Sequence, residues 1–377
     1  MKLDGVKVLD LGWVWAGPLV SAAFADLGAD VVKVESSARL DPYRLRGVER
    51  DPRYTDVNRH EASPSFHKLN RGKRSIRVNL RHPAGRDLVL RLAEQADLLI
   101  ENFSGGTLAR LGLDWPVLRE RNPALVALSM SAGGQTGRWR DMRAYALITT
   151  AMAGYESLIA YPGEDPVGGA TFGIADPTIS SFGVFGAMAA VWSARRTGQG
   201  AYLDLSGVES VISVLGAAFL PPDDAETAPT QHCLPCAEAD SWVAVGLVDD
   251  RERAALAKLA GLDGGPTADD LLWTEVADWS ATLPRAEVLA RLWGERITAV
   301  PVYSIEERNA DPALASHPMS IAHPVTGPED ILPSPWGTAD VPRPAPLLGQ
   351  HTEVVLREWL GLSDTDIAEL VARDVLI

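Results

Sequence analysis

The absences in this 377-residue chain say most at first: two cysteines, no dinucleotide-binding glycine fingerprint, and no apolar stretch of bilayer-spanning length. So few cysteines exclude a disulfide scaffold. Cys233-Leu234-Pro235-Cys236 has redox-pair spacing, but it precedes the strand pattern Ser241 to Leu247 instead of joining a strand to a helix start. It reads as two reduced structural thiols. Zinc would need more ligands than His232 alone, so no metal site is expected. The turn after the first strand, Gly12-Trp13-Val14-Trp15-Ala16-Gly17-Pro18, lacks the spacing that nicotinamide and flavin enzymes use. A P-loop, a His-Glu-x-x-His motif and a Gly-x-Ser-x-Gly elbow are missing too, so ordinary kinase and hydrolase readings drop out. No signal-peptide centre precedes Val6, and a cytoplasmic protein is expected. A formal charge of −15 speaks against nucleic acid and acidic membrane surfaces as main partners, because the long-range field repels them.

What is present fits a globular protein: 46% apolar and 23% charged residues, with enough length for two domains or one large domain carrying an insert. Val6 to Leu11 reads as a strand, Pro18 to Leu27 as a helix, and Val31 to Val34 as the next strand, which is a βαβ unit. The grammar repeats with a helix Pro83 to Gln95, a strand Asp97 to Ile100, a helix near Thr107 to Leu111 and a strand Leu125 to Ser129. The expected fold class is α/β, a doubly wound parallel sheet of Rossmann-like form, with a second, smaller α/β domain. A polar, proline-containing linker is read at Pro221 to Thr227. Beyond it come a strand Trp242 to Leu247, a helix Asp250 to Leu259, a strand Val300 to Tyr303, a short helix Ile305 to Arg308, a crossing segment Arg343 to Gln350 and two C-terminal helices, Glu353 to Leu360 and Asp364 to Asp374. Ser363 with Asp366 makes a capping box for the last helix.

Two basic runs stand out on this acidic chain. Lys68, Arg71, Lys73, Arg74, Arg77, Arg81 and Arg86 follow one another with no carboxylate between them, and Arg138, Arg140 and Arg143 form the second run. Each alone fits a solvated face; the pair suggests a small polyanionic ligand. Asp176 closes the stretch Gly168 to Asp176 and precedes an uncharged helical run, Phe182 to Trp192, that reads as buried on most faces. Two readings stay open for it. Asp before Pro is a common helix start with the carboxylate as N-cap, while a carboxylate at the edge of an apolar interior is expensive unless it has a task.

The chain resembles the family III coenzyme A transferases, the group that includes formyl-CoA transferase and carnitine CoA-transferase. The resemblance is carried by Val8 to Leu11 with Ala16-Gly17-Pro18, Ala25 to Glu35, Leu69 to Ser75, Ile100-Glu101-Asn102-Phe103, Gly134 to Gly137, Arg196 to Gly200 and Arg343 to Thr352, in the family's order along nearly the whole chain. It implies that Asp176 is the nucleophile, attacking the thioester of an acyl-CoA and passing CoA to a small carboxylic acid through an aspartyl-acyl anhydride and an aspartyl-CoA thioester. It implies CoA contacts from Leu69, Asn70, Lys73, Arg74, Asn102, Phe103 and Arg110, and a pocket near the thioester lined by Trp15, Ala16, Arg143 and Tyr145. The CoA thioester is substrate, with no tightly bound cofactor expected. Residues 1–220 are then a large CoA-binding domain, 221–335 a small domain and 336–377 a segment returning to the large one, within an interlocked homodimer.

Several positions depart from the family pattern. Trp15 stands where the formyl branch has Gln, which leaves carbonyl stabilisation to backbone N–H groups around Ala16 and Gly17. Ser36-Ser37 replace an expected Arg, Tyr145-Ala146 replaces Tyr-Asp, and no glycine-rich lid precedes the small-domain strand, so a bulkier acid than formate is expected. An α-methylacyl-CoA racemase is the rival within the fold, but that branch carries a histidine where Tyr145 stands, and a phenol is a poor base near neutral pH. A non-catalytic partner subunit is the third reading.

Overall fold

The computed structural model describes residues 2–55, 58–160, 165–167, 173–216, 230–262, 269–314, 319–331 and 343–377. The linker read at Pro221 to Thr227 and the stretch Gly168 to Phe172 lie outside the described residues. The chain divides into two compact units, Met1–Gly216 with Pro318–Ile377, and Ala217–His317.

The first unit begins with β1 (Lys7–Asp10), α1 (Ala16–Asp26), β2 (Asp30–Glu35), α2 (Pro64–Asn70), β3 (Arg74–Arg77), α3 (Pro83–Glu94) and β4 (Leu98–Glu101). It continues with α4 (Thr107–Leu111), α5 (Trp115–Arg121), β5 (Val126–Ser131), α6 (Ala146–Met152), α7 (Ala175–Thr197), β6 (Ala201–Ser206) and α8 (Gly207–Ser213). The six strands form one sheet in the order β3-β2-β1-β4-β5-β6, and every pairing is parallel. Successive residues of a strand face opposite sides. Leu9, Val32 and Ile76 therefore meet Leu88 and Leu92 of α3 on one face, while Val8, Val31, Ile100 and Leu128 meet Val20 of α1 and Val184 of α7 on the other. That two-sided burial is the doubly wound arrangement the sequence predicts. The strand order reverses between β1 and β4, which opens a crevice at their C-terminal ends.

Two strands of this sheet escape the sequence reading. β3 carries Arg-Ser-Ile-Arg, and β6 alternates half-buried with exposed residues at the sheet edge, so neither shows an apolar run. α7 is also less enclosed than its composition predicts. Ile179, Gly183, Val184, Ala187, Val191 and Ala194 are buried at helical spacing, whereas Phe182, Phe185 and Trp192 are exposed on the opposite side.

The second unit holds β7 (Thr230–Pro235), β8 (Trp242–Leu247), α9 (Asp250–Leu259), α10 (Asp269–Ala281), α11 (Arg285–Gly294), β9 (Thr298–Val302) and α12 (Ile305–Ala310). Its three strands pair antiparallel in the order β7-β8-β9, over a core that includes Leu256, Trp273 and Leu292. Cys233 lies exposed within β7 and Cys236 is buried just after it; both thiols are free.

The chain then forms the hairpin β10 (Met319–His323) and β11 (Gly327–Ile331) and ends with α13 (Thr352–Leu360) and α14 (Asp364–Ala372), the last started by the Ser363–Asp366 capping box. The hairpin groups with the first unit, although the sequence reading places all of 221–335 in the small domain. His67 of α2 explains this: its ring stacks on His323 at 3.9 Å, and its Nδ1 lies 2.8 Å from the Glu329 carboxylate.

Candidate active site

Asp176 sits in the first turn of α7, one residue inside the helix, and makes no capping hydrogen bond among the described residues; the helix starts at Ala175 behind Ile174. The N-cap reading therefore fails on geometry, because a cap must precede the first helical residue to reach the free N–H groups. Among the described residues the Asp176 carboxylate has no ion-pair partner, and burial raises its pKa to about 6.

The surroundings of Asp176 come from three separate elements. Ser180, one turn on, donates from Oγ both to the Asp176 carbonyl at 2.6 Å and to the Ala16 carbonyl at 2.9 Å, which ties the start of α7 to the start of α1. Gly173 lies between Ala146, the neighbour of Tyr145, and the expected pocket residue Trp15: a Cβ there would lie 3.2 Å from the Ala146 Cβ and 3.8 Å from Trp15 Cζ3. Tyr145, immediately before Ala146, is 75% exposed and free to meet a ligand. Leu69 packs beneath with Tyr43 and Phe66, and Val14, Trp15 and Leu19 rest on that cluster.

Tyr43 is a site residue that sequence reasoning misses. Burial raises its phenol pKa, Arg46 opposes this, and the carboxylates of Asp176 and Asp41 together with Tyr145 push it higher. Arg46 donates to the Tyr43 hydroxyl at 2.9 Å and stands over its ring. The available signal was Asp41-Pro42, the start of a turn in the connection that leaves the C-terminal end of parallel strand β2, where ligand-binding residues collect in such sheets.

The expected CoA contacts separate into two groups. Lys73 and Arg74 turn inward. Lys73 Nζ donates to Asp10 Oδ2, the Pro18 carbonyl and Asn70 Oδ1, all at 2.9 Å, with both ionic partners fully buried. Burial lowers the Lys73 pKa to about 8, against the pull of Asp10. Burial would raise Asp10, but Lys73, Lys33 and Ser21 outweigh it and hold Asp10 below its ordinary value. Arg74 is shared between Asp30 and Glu358, and Arg71 is clamped on Asp26. Arg71, Lys73 and Arg74 of the first basic run are thus answered by carboxylates distant in sequence. Asn70 is likewise spent, its Nδ2 donating to the Phe66 carbonyl at 2.9 Å.

The remaining cations stay outside. Arg110 and Arg143 are exposed, and so are Arg138 and Arg140. A Cβ at Gly105 would collide with the Arg140 carbonyl oxygen, and one at Gly106 would lie 3.3 Å from Arg110 Nη1. The Arg140 backbone and the Arg110 side chain therefore both border the turn that leaves β4. Asn102 begins that turn. Its Oδ1 accepts from Trp13 N at 2.7 Å and its Nδ2 donates to the Trp13 carbonyl at 2.8 Å, while Phe103 meets the Trp13 ring edge-on at 6.0 Å. Glu101, the last residue of β4, is buried; desolvation raises its pKa to about 7, although Ser129 and the Phe103 N–H bond to it.

Beneath Trp15, Val14 adopts φ +64°, a left-handed conformation that costs a β-branched residue about 1–3 kcal/mol. A surface depression lined by Gly47, Glu49, Arg50, Asp51 and Pro52 contains none of these residues. His67, His323 and Glu329 are close enough to suggest a metal site. Yet the His rings are stacked, so their lone pairs do not converge, and both His67 nitrogens already face Glu329 and the Glu61 carbonyl.

Comparison with known proteins agrees with this arrangement. The family model for CoA-transferase family III matches residues 3–352. The alpha subunit of succinyl-CoA–L-malate CoA-transferase from Chloroflexus aurantiacus is 30% identical, covering 100% of this chain and 93% of that protein. Succinate–glutarate CoA-transferase from Agrobacterium fabrum is also 30% identical, covering 94% of this chain and 95% of its own length. A crystal structure of a CAIB/BAIF family protein from Brucella suis superimposes with a TM-score of 0.79 at 28% identity, covering 95% of this chain and 99% of that one. A family-model match across residues 3–352, over a doubly wound parallel sheet, makes this chain a member of CoA-transferase family III.

Proposed function

We propose that the protein moves coenzyme A from an acyl-CoA to a free carboxylic acid with Asp176 as the covalent carrier. The observation that supports this most is the Asp176 carboxylate itself: desolvated, without an ion-pair partner among the described residues, and beside the Trp15–Ala16 helix start. A carboxylate left in that state is a better nucleophile than a solvated or paired one.

In the first step an Asp176 oxygen bonds to the thioester carbonyl carbon, the C–S bond breaks, and CoA leaves as thiolate with the electron pair. Thiolate then attacks the Asp176 carbonyl carbon, forming an aspartyl-CoA thioester and releasing the donor acid. The acceptor carboxylate attacks that thioester and breaks its C–S bond, expelling CoA thiolate and forming a second anhydride; the thiolate then attacks the new acyl carbon, giving the product thioester and freeing the Asp176 carboxylate. No water or proton is consumed, so the site has reason to stay dry. The N–H groups that open α1 are suited to the developing oxyanion, since the first turn of a helix leaves its amides unsatisfied. The exposed Arg110 and Arg143 are suited to the phosphates of CoA. Lys73, Arg74 and Asn70 act from beneath, by fixing the floor.

Relatives named for succinyl-CoA, malate and glutarate make succinyl-CoA and four- to five-carbon dicarboxylic acids the first pairs to assay. Exposed Phe182, Phe185 and Trp192 on α7, with Leu147 and Ile148 on α6, give an apolar surface that a second copy would cover, in keeping with a homodimer. The test is to quench turnover of succinyl-CoA with hydroxylamine and map the peptides. A hydroxamate on the Asp176 peptide is expected. Label elsewhere, or none during active turnover, overturns the carrier role; inactivity until a related chain is added would assign this protein a partner role.

A further inference from the structure

The turn that delivers Trp15 and Ala16 to Asp176 is gripped from below by side chains the chemistry does not touch. Val14 N donates to both oxygens of Asp41, at 3.1 and 3.2 Å. Two residues earlier, the Gly12 carbonyl accepts from Lys33 Nζ at 2.6 Å. Lys33 and Asp41 are themselves an ion pair at 3.5 Å, and neither side chain is more than 1% exposed. Asn102 takes the N–H and the carbonyl of Trp13 between them, and Asp10 Oδ1 accepts from Gly12 N at 2.7 Å. The main-chain polar groups of this short turn are thus spent on buried side chains from four different places in the chain.

Only one of these contacts falls on a residue with an unfavourable backbone. Val14 at φ +64° would relax toward the ordinary extended or helical region if its N–H were released, and that rotation would swing Trp15, the next residue, away from its present line. The same Asp41 carboxylate also accepts from Tyr43 N at 3.0 Å, so one buried anion orients two of the aromatic residues grouped around Asp176.

We propose that Asp41, held by Lys33, is a positioning residue for acyl transfer: it locks Val14 in the left-handed conformation and so presents Trp15, Ala16 and Tyr43 to the substrate bound at Asp176. This rests on Asp176 being the acyl carrier. Asp41 is buried, with its oxygens taken by backbone N–H groups, so its loss should act on the chemical step more than on binding.

The proposal makes a prediction that a merely stabilising ion pair does not. Glycine occupies φ +64° without strain, so it should need no carboxylate to hold it there. Asp41→Asn is expected to lower kcat by about 10- to 100-fold with KM for acyl-CoA changed less than about threefold, and Val14→Gly placed in that variant should return about tenfold of the loss. Hydroxamate formation at Asp176 in single-turnover experiments should fall and recover in parallel. If Asp41→Asn leaves kcat intact, or if Val14→Gly restores nothing while the double variant melts where Asp41→Asn does, the positioning role is overturned. Should Asp41→Asn fail to fold, Lys33→Met with and without Val14→Gly gives the same comparison. Wild-type protein run in parallel separates the two failures: no hydroxamate at Asp176 there refutes the carrier, whereas normal labelling with an unaffected Asp41→Asn refutes only the positioning.

Discussion

Two buried carboxylates of the same unit have opposite fates. Asp10, at the end of β1, is fully buried and meets Lys73, Ser21 and the Gly12 N–H, so its charge is answered from several sides. Asp176, at the start of α7, is only partly buried, yet desolvation raises its pKa, and no cation among the described residues pairs with it. The comparison teaches that burial alone does not mark a reactive group. A carboxylate becomes available for chemistry when the fold removes water without supplying a counter-charge; with one supplied, it becomes part of the frame.

Substitution at both sites should break the symmetry in function and in stability. Asp176→Asn is expected to lower kcat by about 10³-fold or more in the steady-state assay, since it removes the carrier and leaves binding in place. Asp10→Asn strands Lys73 and leaves a buried ammonium without its anion, which should cost about 3–5 kcal/mol in urea unfolding, with activity lost only as the fold is lost. A variant that stayed folded with full stability would show that Lys73 is held by its neutral partners instead.

The same pair has opposite pH signatures. Asp176 has a folded-state pKa raised from 3.8 to about 6, so the folded form binds the extra proton and stability falls as pH rises through that window. Asp176→Asn removes the cost and should gain about 1–2 kcal/mol at pH 8 and nothing near pH 3, measured by thermal or urea unfolding. The wild-type rate should show an acid limb near pH 6, because the nucleophile must be ionised. Asp10, with its pKa depressed, adds stability above its unfolded value that is lost only on strong acidification.

The smallest contrast concerns the two basic runs. Arg143→Ala should raise KM for acyl-CoA about three- to tenfold, in a salt-sensitive way, with little change in melting temperature. Arg74→Ala should do the reverse, weakening the contacts to Asp30 and Glu358 and leaving KM nearly unchanged. Equal KM effects would return the first run to the CoA site.

The strands and helices carried by apolar periodicity were legible: β1, α1, β2, α3, β4 and β5 lie within a residue or two of the sequence reading, as do β8, α9 and the two C-terminal helices. β3 was hidden because its arginines look solvated until Asp30 and Glu358 are seen beside Arg74. The hairpin β10–β11 was hidden because Gly-Pro-Glu-Asp-Ile has little strand character, and its anchor His67 lies 262 residues before Glu329. At the site, Asp176 was visible as a carboxylate before a long uncharged helix. Tyr43 and Arg46 were not, since their one local cue, Asp41-Pro42, also occurs in turns with no site beside them.

What the sequence determined alone is the parallel sheet, because alternating apolar strands and helical stripes need no distant partner to be recognised, and the short motifs that mark the family. What only the tertiary structure decided is which charges answer one another. Lys73 meets Asp10 across 63 residues, Arg74 meets Glu358 across 284, and Asp176 meets no cation among the described residues. Coulomb energies depend on separation in space and on the water between the groups, and a linear sequence records neither.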